Sequence, residues 1–235
     1  MIPVLAVPTL RPDLVGRMLA SVDVPVGLRL VIDNSGQARD IDGTWVVRLP
    51  GNLGVAASWN LVMKLTPKAA WWCIANDDLV FAPGDLARLA AAMDVPHPLI
   101  ACLAGFSAFG INAAAHDALG WFDENYHPAY VEDCDMERRA HLLRVPIVRV
   151  EAGLEHARSS TIGLPEYSRQ NRRSYPANVA YHARKWGGGH RGGETFGTPF
   201  NREGVGPNEW TLDPVRLREL GWEVAMRPPE GDEVR

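Results

Sequence analysis

The sequence predicts an α/β fold with a mainly parallel sheet, and two observations carry that prediction. The apolar run Trp71–Ala75, which contains aromatic and β-branched residues, ends abruptly at Asn76, Asp77 and Asp78. Such a run is typical of a strand buried on both faces of a parallel sheet. From residue 2 to residue 94, strand-like segments also alternate with segments that have helical spacing. This alternation is expected of successive βαβ units.

The first half of the chain divides cleanly into such segments. Pro12 suits the first turn of a helix, and the apolar residues that follow it repeat at helical spacing. The pattern predicts strands at residues 2–7, 28–32, 45–49 and 71–75, and helices at residues 12–22, 55–65 and 83–93.

The second half begins with two further strands, predicted at residues 99–103 and 106–111. Asn112 is a suitable N-cap for a short helix over residues 113–119, and Gly120 would close it. A longer helix is expected from about residue 130 to residue 144, followed by a last strand at residues 146–150 that ends near Glu155 and His156. No clear pattern follows residue 158.

Bulk composition indicates one globular enzyme-sized domain with or without an extension. The chain has 235 residues, is 46% hydrophobic and carries a formal charge of −4, so it is not a polycation built to coat nucleic acid. Its three cysteines have no zinc-site spacing, and Cys73 and Cys102 lie in apolar runs as buried thiols of a reducing compartment would. No segment resembles a signal peptide or a membrane span, so a cytoplasmic location without a membrane partner is expected.

Two acidic clusters are candidates for chemistry. Asp77 and Asp78 follow a predicted buried strand, and ligands of open α/β sheets bind at the carboxyl ends of strands. Adjacent carboxylates there suit Mg²⁺ or Mn²⁺, although a solvated acidic turn explains the pair equally well. The second cluster, Glu132, Asp133 and Asp135, has more acids than the first turn of a helix needs for its dipole.

Four motifs in order resemble the family 2 class of nucleotide-sugar glycosyltransferases with the GT-A fold. They are Pro8–Pro12, Asn52–Asn60, Asn76–Asp78 and Gly120–Glu124 followed by Glu132–Asp135. The resemblance as a whole covers residues 3–160. The resemblance implies a Rossmann-like, mixed and mainly parallel sheet flanked by helices. Two departures stand out: Asn76 replaces the first carboxylate of the family's DxD motif, and Trp59 occupies a place usually held by a small residue.

The resemblance also implies roles for individual residues. Asp78 and His156 would hold Mn²⁺ or Mg²⁺, although a lone histidine is as often structural. Asp133 would be the general base of an inverting single displacement, with a pKa raised from about 3.9 by its neighbours Glu132 and Asp135. Glu132 and Asp135 would belong to the catalytic group with it, or one of them would instead orient the helix or the acceptor. Asp33 would bind the nucleotide base or, equally well, cap its own turn. The donor, with a UDP-sugar favoured, would contact Pro8, Thr9, Arg11, Asp33, Asn34, Asn52, Asn60, Asn76 and Asp77.

The C-terminal part suggests an acceptor. Residues 158–202 carry eight basic and two acidic side chains, and the stretches Tyr181–Gly188 and Phe196–Asn201 resemble a tail of some phage-type glycosyltransferases. Arg172, Arg173, Lys185 and Trp186 are therefore predicted on the acceptor side. A hydroxymethylated DNA base is one expected acceptor, and a protein or glycan is the alternative. A phage enzyme would work in the host cytoplasm.

The predicted organisation is a GT-A core at residues 1–160, a helical or irregular basic extension at 161–226 that packs on it, and a disordered tail at 227–235. Two other functions are compatible with the sequence. A sugar-1-phosphate nucleotidyltransferase would need a glycine-rich loop after the first strand, and residues 8–12 contain no glycine. A nucleic-acid-binding domain could stack bases on the aromatic residues of the extension, but it would leave the acidic clusters unexplained.

Overall fold

A seven-stranded sheet forms the centre of the molecule. The computed structural model describes residues 1–157 and 165–187, together with residue 189. The strand order is β3-β2-β1-β4-β7-β6-β8, and only β7 runs against the other strands of this sheet. The strands are β1 Ile2–Thr9, β2 Val26–Asp33, β3 Thr44–Arg48, β4 Trp71–Ala75, β6 Ile100–Cys102, β7 Ala108–Asn112 and β8 Ile147–Arg149. A second sheet pairs β5 Leu79–Val80 with β9 Glu155–His156.

Helices cover both faces of the large sheet. They are α1 Pro12–Ala20, α2 Val55–Leu65, α3 Asp85–Ala92, α4 Ala113–Leu119, α5 Glu132–Leu143 and α6 Pro165–Trp186. The predicted cap of α4 is confirmed, since the Asn112 side chain accepts a hydrogen bond from the backbone of Ala115 at 2.8 Å. The mixed, mainly parallel α/β fold predicted from the sequence is confirmed as well.

Strand β4 lies at the centre because all five of its side chains are apolar and buried. Trp72 and Ile74 pack into the hydrophobic cluster beneath α2, α4 and α5. Trp71, Cys73 and Ala75 pack into the cluster on the opposite face, with residues of α1 and α3. This period of two with apolar residues on both faces is what burial beneath two helical layers requires. The tryptophan pair therefore serves the core.

The sequence pattern missed the short strand β5, and it gave no bounds for the 22-residue helix α6, which lies in the segment predicted to be helical or irregular. It also joined β8 to Glu155 and His156, which the structure assigns to a separate strand. The sequence pattern did not predict where α6 begins and ends, because the buried positions of this helix include Ser174, Asn178 and His182 rather than an apolar stripe.

Helix α6 is fastened to the core by a buried polar cluster at its C-terminal end. The Lys185 ammonium lies 2.7 Å from a carboxylate oxygen of Asp123 and 2.7 Å from one of Asp135. The indole of Trp186 donates to Asp135 at 2.9 Å, and the guanidinium of Arg139 reaches the same carboxylate at 2.8 Å. The predicted domain bounds stay predictions, because most residues beyond 187, including the expected disordered tail, lie outside the described residues.

No helix within residues 1–157 and 165–187 is long and apolar enough to cross a membrane. Cys73 and Cys102 are buried free thiols, as predicted, and burial raises the pKa of each to about 12.

Asp135→Asn should destabilise the protein by about 3 kcal/mol at neutral pH, because it leaves buried cations incompletely compensated. Although burial opposes the effect, the charges of Lys185 and Arg139 lower the pKa of Asp135. A lowered pKa gives stability that is present above the unfolded-state value of about 3.9 and is lost as the pH falls below it.

Urea unfolding of the wild type and of Asp135→Asn, from neutral pH to below about pH 3.9, measures the effect. The difference in unfolding free energy should shrink as the solution becomes acidic. Asp94→Asn, at an exposed position, is the matched control. An Asp135→Asn variant as stable as the control at neutral pH would contradict the prediction.

Candidate functional site

A cleft of about 920 Å³ runs along the carboxyl edge of the large sheet. One side of the cleft is lined by residues at or just after the ends of β1, β2 and β4. The other side is lined by residues of β8, α5 and α6. This is the edge at which open α/β sheets bind ligands. Of the residues predicted to act on donor, metal or acceptor, the cleft is lined by Pro8, Thr9, Asn34, Asn52, Asn76, Asp77, Asp78, Glu132, Asp133 and His156.

The two adjacent acids at the end of β4 have different environments. Asp77 is 7% exposed, and its carboxylate accepts a hydrogen bond from the Thr9 hydroxyl at 2.5 Å. Burial raises the pKa of Asp77 to about 6, against the opposing effect of the Thr9 hydrogen bond and with a further contribution from the charge of Asp78. Asp77 thus joins the ends of β1 and β4 from inside the sheet edge.

Asp78 instead meets His156. Leu79 pairs with His156 in the β5–β9 ladder, and this places the imidazole Nε2 3.3 Å from a carboxylate oxygen of Asp78. No group of three or more potential metal-binding side chains occurs within residues 1–157 and 165–187. Mg²⁺ and Mn²⁺ need few protein ligands when substrate phosphates and water complete the shell, so the Asp78–His156 pair fits such an ion.

The loop before α2 forms the floor near the ends of β1 and β2. The side-chain oxygen of Asn34 accepts from the backbone of Leu53 at 2.9 Å, and that of Asn52 accepts from Gly54 at 2.8 Å. Gly54 has φ +86°, and a Cβ there would lie 2.9 Å from the carbonyl oxygen of Pro128. This close approach lets the backbone of Val55 donate to the same carbonyl at 2.7 Å.

Asp33, Arg11 and Asn60 were predicted to bind the donor, and each makes a hydrogen bond or ion pair with another part of the protein. Asp33 is fully buried, and its two carboxylate oxygens accept from the backbone of Ser35 at 2.9 Å and of Ala38 at 2.7 Å. Asp33 therefore caps its own turn, the alternative that the sequence left open. The Arg11 guanidinium pairs with Asp13 at 2.7 Å.

Asn60 is also buried, away from the cleft. Its side-chain amide donates to the carbonyl of Phe122 and to the carboxylate of Glu124, both at 2.8 Å, and its oxygen accepts from the backbone of Phe122 at 2.9 Å. This position differs from the donor contact predicted for Asn60, because its hydrogen bonds join α2 to the loop before α5. Trp59, the unusual residue beside it, packs edge-on against Phe122 with ring centroids 4.7 Å apart.

The segment that enters α5 is held in an uncommon conformation. Tyr130 and Val131 have φ values of +75° and +80°, in a region that side chains with a Cβ rarely adopt. The amide of Asn178 on α6 donates to the carbonyls of Ala129 at 3.0 Å and Tyr130 at 3.1 Å. Helix α6 thus fixes the backbone immediately before Glu132.

Helix α5 sends its acids in two directions. Glu132, Asp133 and Glu137 line the cleft, whereas Asp135 points into the buried cluster with Arg139, one turn further along the helix. This differs from the catalytic position predicted for Asp135, since its carboxylate binds Lys185, Arg139 and Trp186. It supports α5 from the interior.

Glu132 is the least satisfied of these acids. It is 6% exposed, and its Oε2 has no hydrogen-bond partner among the described residues. Burial raises the pKa of Glu132 well above its usual value, and the charge of Asp133 adds to the shift. Burial and then the charges of Glu132, Asp78 and Asp133 raise the pKa of Tyr130. Tyr130 therefore lies within the electrostatic reach of the candidate metal ligand and of the α5 acids.

The wall formed by α6 was not predicted residue by residue. Tyr167, Gln170 and Asn171 line the cleft at helical spacing, a signal that becomes visible only once α6 is known to be a helix. Arg172 and Arg173 are exposed, outside the lining of the cleft.

Lys185 and Trp186 lie in the interior, Trp186 with only 1% of its surface exposed. Their positions differ from the acceptor-side placement predicted for them, because both side chains are bound to buried carboxylates beneath α6.

Three solved structures give the fold a context. No protein-family model matches the sequence, and no curated protein matches it significantly. The structure resembles GalNAc-T7 with UDP, GalNAc and Mn²⁺, with a TM-score of 0.54, 10% identity and coverage of 77% of this chain and 51% of that chain. It also resembles glucosyl-3-phosphoglycerate synthase from Mycobacterium tuberculosis with Mn²⁺, UDP and glucosyl-3-phosphoglycerate, with a TM-score of 0.50, 14% identity and coverage of 76% and 80%.

The chain has a GT-A-type fold. The third similar structure, residues 1–349 of TarS from S. aureus, has a TM-score of 0.48 at 15% identity, and the chain covers 58% of it. The chain therefore spans little more than half the length of two of these three structures. In this GT-A-type fold, the same cleft is lined by the Asp78–His156 pair and by the α5 acids.

Thr9→Val should lower the free energy of unfolding by about 1–3 kcal/mol, because it removes the hydrogen bond to the buried carboxylate of Asp77. Thr9→Ser keeps the hydroxyl and is the matched control, so it should lose less. Denaturant unfolding of the three proteins above pH 6, where Asp77 is largely ionised, provides the measurement. Equal stability of the two variants would show that the hydroxyl adds nothing.

Proposed function

We propose that the protein is a glycosyltransferase that moves a hexosyl group from a UDP-sugar to an acceptor hydroxyl with the help of a divalent metal ion. The observation that carries this proposal is the arrangement of one cleft, with a metal-compatible Asp78–His156 pair near the strand ends and the carboxylate of Asp133 on the opposite wall. Two similar folds whose structures contain UDP and Mn²⁺ support it, as do the four sequence motifs that resemble family 2 enzymes.

The donor would bind at the ends of β1, β2 and β4. Asp78 and His156 would hold Mn²⁺ or Mg²⁺, and the ion would stabilise negative charge on the departing diphosphate. Asn34 and Asn52 line this part of the cleft and would lie beside the diphosphate and nucleoside. Asp77 would not contact the ion directly. It would instead hold the ends of β1 and β4 in place through its hydrogen bond with Thr9.

The transfer would proceed by a single displacement with inversion. Asp133 would take the proton of the acceptor hydroxyl as its oxygen forms a bond to the anomeric carbon, and the bond from that carbon to the diphosphate oxygen would break at the same time. Asp133 lines the cleft and is half-buried, so its carboxylate is accessible to a hydroxyl. Glu132 would hold the acceptor instead, since burial favours its neutral form and a neutral carboxyl group donates a hydrogen bond.

Asp78→Ala should weaken the binding of UDP in the presence of Mn²⁺ by at least tenfold while the fold stays intact, because the variant loses the only carboxylate of the proposed ligand pair. Isothermal titration calorimetry with and without EDTA measures the effect, and circular dichroism verifies the fold. The exposed variant Asp117→Asn is the control. Undiminished UDP affinity in Asp78→Ala, or in EDTA, would exclude the proposed metal role.

Asp133→Asn should reduce the rate of sugar transfer by about 10² or more and leave donor binding nearly unchanged, because the base acts on the acceptor. Initial rates of UDP release and product formation measure the first effect, and calorimetry measures the second. NMR of the product anomer tests inversion. Near-normal turnover of this variant would assign the base to another residue, and a retained anomeric configuration would reject single displacement.

A further inference from the structure

The part of the cleft that α5 lines, the proposed acceptor side, is acidic. Five carboxyl groups line the cleft, against Arg149 and His156 as its basic residues among those described. Three of the five, Glu132, Asp133 and Glu137, lie on α5, whereas the proposed metal pair lies on the β5–β9 side of the cleft. Burial and the charge of Asp133 raise the pKa of Glu137, so these two groups interact. A bound metal near Asp78 would leave this second acidic surface in place.

Among the described side chains of α6, those that line the cleft are uncharged. Helix α6 presents Tyr167, Gln170 and Asn171 to the cleft, and none of the three is fully buried. Side-chain amides both donate and accept hydrogen bonds, and tyrosine offers an apolar face with a polar tip. Tyr130, 36% exposed, adds a second aromatic ring at the base of this wall.

Three arginines of α6, Arg169, Arg172 and Arg173, are exposed. Helical geometry centres them on the face opposite Tyr167 and Asn178. The Arg172 guanidinium donates to Ser168 at 3.0 Å rather than to a group in the cleft. A polyanion attracted by these arginines would be held outside the cleft, and one that entered it would meet Glu137 and Asp133.

Glu132 supplies an independent indication of a ligand. Its Oε2 is buried in the wall of the cleft without a hydrogen-bond partner among the described residues. Buried polar atoms are nearly always hydrogen-bonded in native proteins, so an unpaired one in a cleft indicates a partner from outside. Together with Gln170 and Asn171, it offers more hydrogen-bonding groups than the single hydroxyl of a serine or threonine could satisfy.

We propose that the acceptor is an uncharged saccharide, bound between the acidic face of α5 and the Tyr167–Gln170–Asn171 face of α6. Its reacting hydroxyl would meet Asp133, while neighbouring hydroxyls would bind Glu132 and the two amides. This inference rests on the proposed function and narrows its acceptor. It differs from the sequence-based expectation of hydroxymethylated DNA. That expectation named Arg172 and Arg173 on the acceptor side, and the structure places both on the outer face of α6.

The test offers three acceptor classes to the enzyme with Mn²⁺ and a panel of UDP-sugars: neutral mono- and oligosaccharides, serine- and threonine-containing peptides, and duplex DNA with hydroxymethylated bases. Mass spectrometry identifies the product. Transfer to a neutral saccharide, with a KM that changes little with salt, is expected. Transfer only to DNA, with activity that falls steeply as salt rises, would overturn the inference. Transfer only to peptide would also overturn it.

Two pairs of substitutions then locate the acceptor. Gln170→Ala with Asn171→Ala should raise the KM for the saccharide about tenfold, as expected for lost hydrogen bonds, and leave the Kd for UDP unchanged. Arg172→Ala with Arg173→Ala, on the outer face of the same helix, is the matched control and should change neither quantity. An increase in KM confined to the arginine pair would place the acceptor outside the cleft.

Calorimetry with UDP separates failure of this inference from failure of the proposed function. Absence of metal-dependent UDP binding would reject the glycosyltransferase itself. Intact UDP binding and slow donor hydrolysis, without transfer to any neutral saccharide, would leave the enzyme class standing and reject the saccharide acceptor.

Discussion

One buried carboxylate connects the two helices that form the far wall of the cleft. Asp135 lies in α5, two residues beyond Asp133, and it binds Lys185 and Trp186 at the end of α6. A buried charge needs nearby partners of opposite charge or hydrogen-bond donors. The carboxylate of Asp135 in α5 is therefore fully compensated only when α6 has docked. Asn178 then binds the loop that enters α5. The position of the proposed base therefore depends on a helix whose described side chains contribute no acid to the cleft.

Local patterns were sufficient to predict most of the strand and helix segments. Strands with apolar residues on both faces and helices with an apolar stripe have different periods, and both periods appear in residues 2–94 because each element buries one or both of its faces. The cap at Asn112 was equally local. The resemblance to GT-A enzymes added the sheet arrangement, which no local pattern specifies.

Residue roles were harder to predict where the phase of a helix decides them. Asp133 and Asp135 are chemically equal in the sequence, and only the helix face separates the cleft from the core. A clue was present, since Arg139 follows Asp135 by one turn and pairs with it. Helix α6 gave less warning, because a polar inward face with Ser174, Asn178 and His182 produces no hydrophobic period. Asn60 and Asp33 illustrate the same limit, as buried polar side chains that support loops have the composition of binding residues.

The short β5–β9 ladder has a consequence for the order in which the protein becomes functional during synthesis. His156 lies beside Asp78 only because β9, which follows nearly all of the core in sequence, pairs with β5. The strands β1 to β4 can associate as the N-terminal half leaves the ribosome, since their contacts need nothing from later residues. A nascent chain that ends before β9 therefore contains the central strands but not the ligand pair. Competence for the proposed donor binding would therefore be acquired late, after the scaffold has been built.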